Sequence, residues 1–258
     1  MRKLNIYRYA ILAFSSVLLL SACSDNKPTL DPPEIPDLSE ARPSFDYFNS
    51  SAKVKEVMGD NYKLASSLAQ SMEMLMTTFS SLPESFLDLA NQEDPDFDNG
   101  VWTWEKTQSN QSESFTIRLE AERTNTRVNW AMYISANTQE LIFDNLKLFD
   151  GFVLNDSNEG EWSIYPFEEN NNLQAAMTYD WMIESTDLAS FNFTFESNNA
   201  SSLSYVKNSP DNTITVNGDN QITVIYWNSS NETGYYDTTG QDRICWDSSS
   251  NNTPCTGA

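Results

Sequence analysis

Leu173-Gln174-Ala175-Ala176-Met177-Thr178-Tyr179-Asp180-Trp181-Met182-Ile183 decides the fold class. Leu173, Ala175, Met177, Tyr179, Trp181 and Ile183 occupy every second position, and a period of two puts them on one face of an extended strand. The same alternation recurs in Phe115, Ile117 and Leu119, and in Val128, Trp130, Met132 and Ile134. It returns in Phe191, Phe193 and Phe195, in Ile214 and Val216, and in Ile222, Val224 and Tyr226. Thr124-Asn125, Glu159-Gly160, Asn198-Asn199, Asp211-Asn212 and Asn217-Gly218 supply turn chemistry between the runs. No helical crossover separates them, so the expected sheet is antiparallel, with about ten to twelve strands. Gly100-Val101-Trp102 and Gly160-Glu161-Trp162 share a Gly-x-Trp start, read here as a turn glycine opening a strand.

Upstream the period changes. Val54, Met58, Tyr62, Ala65, Leu68, Met72, Leu75, Phe79 and Leu82 recur at steps of three or four, which predicts a helix over 52–82 with one apolar stripe. Ser81-Leu82-Pro83-Glu84 reads as a stop and a new start, with Pro83 opening a short second helix that carries Phe86, Leu87, Leu89 and Ala90. Met72, Met74 and Met76 read as core filler. The expected architecture is mainly β with an N-terminal helix: a curved antiparallel sheet, or half-barrel, packed on one long amphipathic helix. A β-sandwich with the helix at one end is the alternative. In element order alone, helix then sheet, the chain resembles the bacterial lipoprotein carriers LolA and LolB. No motif of that family is present, so no residue inherits a role.

Composition excludes several functions. The 258 residues hold 37 Asp and Glu against 15 Lys and Arg, with no histidine and 3 cysteines. No Ser-His-Asp or Cys-His unit and no imidazole zinc site can form. The excess of acid argues against nucleic acid, which needs clustered Lys and Arg. Eight glycines leave no phosphate-cradling loop. Paired carboxylates could run glycoside hydrolysis, but no pair stands out, so the chain reads as a non-enzyme.

The N-terminus carries an address. Arg2, Lys3 and Arg8 precede the apolar run 10–20, which is too short to span a bilayer. Leu20-Ser21-Ala22-Cys23 resembles the lipobox of bacterial lipoproteins. That resemblance implies cleavage before Cys23, acylation of Cys23 and anchoring in a membrane. Ser24 after the cysteine implies the outer membrane of the cell envelope. Residues 1–22 then form a signal peptide, 23–45 a lipidated cysteine with a Pro-rich tether, and 46–258 a single domain. Removing the three basic residues of 1–22 leaves 12 against 37, a net charge of -25. Such a body is repelled by anionic headgroups.

Three sets of candidate site residues follow. Cys23 takes lipid, which leaves Cys245 and Cys255 as an expected disulfide across the Ser248–Asn252 turn. Asp94, Asp96, Asp98 and Glu105 fall at positions 1, 3, 5 and 12 of a stretch resembling an EF-hand calcium loop. It departs from that loop with Asn99 at the glycine position and a strand-like Val101-Trp102-Thr103-Trp104 after it. Trp102, Trp104, Trp227 and Tyr235 are candidates for stacking on a glycan. The expected function is a non-enzymatic binding module for a glycan or apolar ligand. A LolA/LolB-like carrier of apolar ligands and a structural envelope protein are the alternatives.

Overall fold

The computed structural model describes residues 31–34, 43, 45–49, 59–87, 93–110, 112–139, 142–155, 158–166, 174–196 and 201–255. Residues 1–22, Cys23 and the predicted helical positions 52–58 lie outside these. Helix α1 (Asp46–Asn49) and helix α2 (Asp60–Leu87) precede the strands. Among the described residues fourteen strands follow: β1 (Asp96–Asp98), β2 (Val101–Ser109), β3 (Ser114–Arg123), β4 (Arg127–Asn137), β5 (Ile142–Leu154), β6 (Glu159–Ile164) and β7 (Met177–Ser185). The second half is β8 (Leu188–Phe195), β9 (Ser201–Asn208), β10 (Asp211–Gly218), β11 (Gln221–Asn228), β12 (Thr233–Thr238), β13 (Ile244–Trp246) and β14 (Asn252–Thr253). Each strand pairs antiparallel with its sequence neighbour in one continuous, open sheet, not in two separate sheets. Local hairpins suffice for this order, because antiparallel neighbours need no crossover.

One face of the sheet is aromatic. A register row runs Trp102–Ala121–Trp130–Gly151–Trp162–Tyr179–Phe193 from β2 to β8. A second row runs Gly160–Trp181–Phe191–Tyr205–Ile214–Ile225 from β6 to β11. All the tryptophans in these rows are at most 3% exposed. Small residues sit beside the indoles because a ring lying across the neighbouring strand leaves no room for a side chain there. A Cβ on Gly160 would stand 2.3 Å from the Trp181 ring, and one on Gly234 would stand 2.2 Å from the Trp246 ring. One on Gly151 would stand 1.9 Å from the carbonyl oxygen of Glu161 and 2.7 Å from the Trp162 ring. Gly160 is therefore a strand residue beneath an indole, not a turn. Gly100 is the turn glycine, with φ of 89° beside Asn99 at 50°, as a two-residue type I′ hairpin requires.

Other turns are displaced. Asn217-Gly218 ends β10, and the turn is Asp219-Asn220, both with positive φ. Asp211-Asn212 opens β10 after the Ser209-Pro210 turn. β7 begins at Met177, so the alternation read from Leu173 overshoots the strand start.

The helices close one end of this aromatic face. Tyr62, Ala65, Ala69, Met76, Ser80 and Leu87 of α2 are buried, while Met74 is 70% exposed. Leu75 is exposed and Met76 takes the inner position, because the buried line Tyr62, Ala65, Ala69, Met76, Ser80 and Leu87 advances at about 3.6 residues per turn, whereas the series read from sequence takes too many steps of three and drifts off that face. α2 also runs unbroken through Pro83. Proline gives the helix ladder no N–H at this position, and the helix continues to Leu87 all the same. Phe45 lies edge-on to Tyr205 at 4.8 Å and to Trp227 at 5.9 Å, and its backbone N–H donates to Glu73 Oε1. Tyr62 meets Trp246 edge-on at 5.8 Å. Burial raises the Tyr62 phenol to about 12 and pushes Tyr47 and Tyr205 up as well.

The residues before α1 belong to this body. Phe45 is fully buried, Pro33 and Pro43 are buried, and the compact unit begins at Pro32.

If indoles over glycine set the packing, Gly160→Ala should lower stability by about 1–3 kcal/mol through overpacking. Gly218→Ala is the control, since its Cβ would meet only Ser201 at 3.6 Å. Urea unfolding midpoints compare the two; equal shifts would contradict the steric account.

Candidate functional site

The expected stacking platform is not exposed. Trp102, Trp104 and Trp227 are 2–3% exposed and belong to the core. Strand alternation explains this: all three occupy inward positions, where the largest apolar side chains gain most from burial. Tyr235 points outward and is half-buried, but its ring is occupied. It stacks on Tyr226 at 5.0 Å, and the Arg243 guanidinium lies 4.2 Å above it. Arg243 is held in turn by Asp237 at 2.8 Å.

The acidic stretch does not wrap as a calcium loop would. Asp96 and Asp98 lie on β1, and Asn99-Gly100 turns the chain directly into β2. The hairpin register sets Asp96 opposite Thr103 and Asp98 opposite Val101, while Glu105 lies further along, opposite Arg118. Asp98 accepts a hydrogen bond from Asn99 Nδ2 at 2.9 Å. Asn99 does take the left-handed conformation, in a hairpin turn. Among the described residues no group of three or more Asp, Glu or Cys side chains is gathered to hold a metal ion.

Cys245 and Cys255 are joined, with sulfurs 2.06 Å apart. The hairpin they close (β13–β14) caps α2. Asn252 Oδ1 accepts from the Asn61 backbone N–H at 3.0 Å, Ser250 O accepts from the Gly59 N–H at 2.9 Å, and Asn61 Nδ2 donates to Cys245 O at 2.9 Å. One orphan donor of the first helical turn, the Asn61 N–H, and the Gly59 N–H just before it are thus satisfied by residues about 190 positions away.

The outward face offers the chemistry. Across β3–β6 a shallow groove of about 370 Å³ is lined by Glu120, Glu122, Arg127, Asn129, Asp150 and Glu161. These are the alternates of the buried positions on the same strands, so the Trp face and the groove are two sides of one sheet. Arg127 lies over the Phe152 ring at 4.5 Å. Asp150 is fixed by Lys147 Nζ at 2.6 Å and by the Tyr165 hydroxyl at 2.9 Å. Burial alone would lower the Lys147 ammonium, but the hydrogen bond and charge of Asp150 outweigh it and hold the pKa above its usual value. Arg118 ion-pairs with Glu120 at 3.2 Å, stacks over Tyr133 at 4.6 Å and donates to Asn145 Oδ1.

Across β8–β10 the outward positions change character. Ser190, Asn192, Thr194, Ser202, Ser204, Thr213, Thr215 and Asn217 are uncharged and half-buried. In a chain of this charge, a surface of hydroxyls and amides free of charge stands apart. At its edge Asp211 accepts from the Tyr226 hydroxyl and from Asn228 Nδ2, which hold its carboxyl below the usual range.

Inside, Trp246 Nε1 donates to the Tyr47 hydroxyl at 2.9 Å, which itself donates to Glu232 O. Trp102, Trp130 and Trp162, on alternate strands of one row, have indole N–H groups with no partner among the described residues.

No protein-family model matches the chain, and no curated protein or solved structure matches it.

The disulfide closes a short loop, so its removal should cost about 3 kcal/mol. In the Cys245→Ser/Cys255→Ser double variant, the urea midpoint should fall and amide exchange should rise in the first turn of α2. An unchanged midpoint with unchanged exchange at Asn61 would show that the bridge does not support the cap.

Proposed function

We propose that the protein is a non-enzymatic binding module of the bacterial envelope. In this reading Cys23 is acylated and holds it at the outer membrane, and its outward sheet face engages a polyhydroxylated ligand, a glycan. The groove across β3–β6 carries the proposal. It combines fixed carboxylates, an amide and an arginine on a rigid antiparallel scaffold, and such groups satisfy sugar hydroxyls as donors and acceptors. The uncharged hydroxyl and amide face of β8–β10 extends the same chemistry sideways. The tryptophans first considered for stacking have no part in it; they stiffen the sheet from the other side.

Binding of soluble peptidoglycan fragments and lipopolysaccharide-derived oligosaccharides, measured by calorimetry, tests this. Glu120→Gln and Asp150→Asn should each weaken an observed interaction about tenfold, the weight of one charge-assisted hydrogen bond. No binding at millimolar sugar, or unaltered affinity in both variants, would remove the proposal.

The second reading is a carrier of acylated or other apolar ligands. It takes the open sheet to curl about α2 as a half-barrel, as the element order of LolA and LolB suggests. The three unpartnered indole N–H groups favour it, because a buried donor left unpaired costs about 1–3 kcal/mol and an ester carbonyl could satisfy it. Native mass spectrometry of the folded body should then detect co-purifying lipid. A single peak at the protein mass, unchanged after incubation with phospholipid vesicles, would eliminate it.

A further inference from the structure

We propose that the end of the sheet bearing the β1–β2 and β3–β4 hairpin tips faces the lipid bilayer. This rests on the reading of Cys23 as the anchor. The compact body begins at Pro32, and the Pro32 carbonyl accepts a hydrogen bond from Arg123 Nη2 at 3.3 Å. Arg123 is the last residue of β3, beside the Thr124–Thr126 tip. The chain therefore joins the folded body at one defined end of its strands.

Reach then decides orientation. Cys23 and Pro32 are nine residues apart, and that length of chain spans about 30 Å at full extension. β3 has 10 residues, which extend about 33 Å. A tether from Pro32 back along the strands would be used up before it reached the opposite tips. The near tips, Asn99-Gly100 and Thr124–Thr126, need almost none of it.

The 124–126 tip carries exposed Arg123 and Arg127 against exposed Glu122, a net positive charge that anionic headgroups attract. The partner is thus a bilayer surface. The groove runs along the strands above it, edge-on to the membrane and open to the envelope space.

The test uses full-length lipidated protein in vesicles of phosphatidylethanolamine and phosphatidylglycerol with an acceptor dye on the headgroups. A donor dye is placed at Asn125→Cys on the near tip or Ser112→Cys on the far one, with the native disulfide left oxidised. Transfer from position 125 should exceed transfer from position 112 at least twofold. Equal or reversed transfer overturns the orientation. A fifteen-residue Gly/Ser insertion after Asp25 should abolish the difference; a difference that survives it overturns the argument from reach. The intact mass separates the two ideas. Missing acyl chains would sink the anchor, while an acylated protein with the far tip nearer the lipid sinks only the orientation.

Discussion

The structure depends on one steric relation: indoles lying across neighbouring strands at positions where no side chain stands. Trp162 over Gly151, Trp181 over Gly160 and Trp246 over Gly234 repeat it across the sheet. Each ring removes a large apolar area from water, and each of these positions admits it only because it is glycine. Register follows from this. A slip of one residue would turn every tryptophan to the outward face and bring carboxylates such as Asp150 and Glu161 inward. The aromatic rows and the polar face are therefore set by the same pairing, and neither can move without the other.

The ends of the chain stabilise the sheet in different ways. At the start, Phe45 fills the angle between Tyr205 and Trp227, so the residues just before α1 are part of the core and not spacer. At the finish, a disulfide-closed hairpin supplies the cap of α2. Helix and sheet are thus joined through contacts of very long sequence separation, although nearly every strand pairing is local. In this topology the helix contacts, not the sheet pairings, carry the main loop-closure cost of folding.

The legible and illegible parts divide by mechanism. Runs such as Val128–Ile134 and Phe191–Phe195 showed as strands because a half-buried strand imposes a period of two. β9 was harder to see because Leu203 and Tyr205 are its only inward apolar residues. β5 was hidden by irregularity: its register shifts against β4, and Asn145 adopts positive φ, so the inward set Leu146, Phe149 and Val153 breaks alternation. The acidic stretch 94–105 matched a loop spacing, but Asn99-Gly100 is also a strong hairpin signal, and strand pairing with β2 prevailed. Pro83 read as a boundary, yet α2 continues through it. Gly160 read as a turn because glycine serves turns and close approaches alike, and only Trp181 on the next strand distinguishes them.

Sequence alone determined the mainly β, antiparallel character and the pairing of Cys245 with Cys255. The first is written in local periodicity, and the second is the one pair left when Cys23 is read as the lipidated residue. Tertiary structure decided which aromatics are available. Trp102, Trp104 and Trp227 look no different in sequence from surface tryptophans; register made them core, with Phe97 against Trp102, Trp130 against Trp104, and Phe45 and Phe48 against Trp227. It also decided where a ligand site can lie, because Glu120, Asp150 and Glu161 are separated in the chain and approach one another only when β3, β4, β5 and β6 pair in that order. Side-chain period is a local property of the backbone, while the proximity of four strands is a property of the whole sheet.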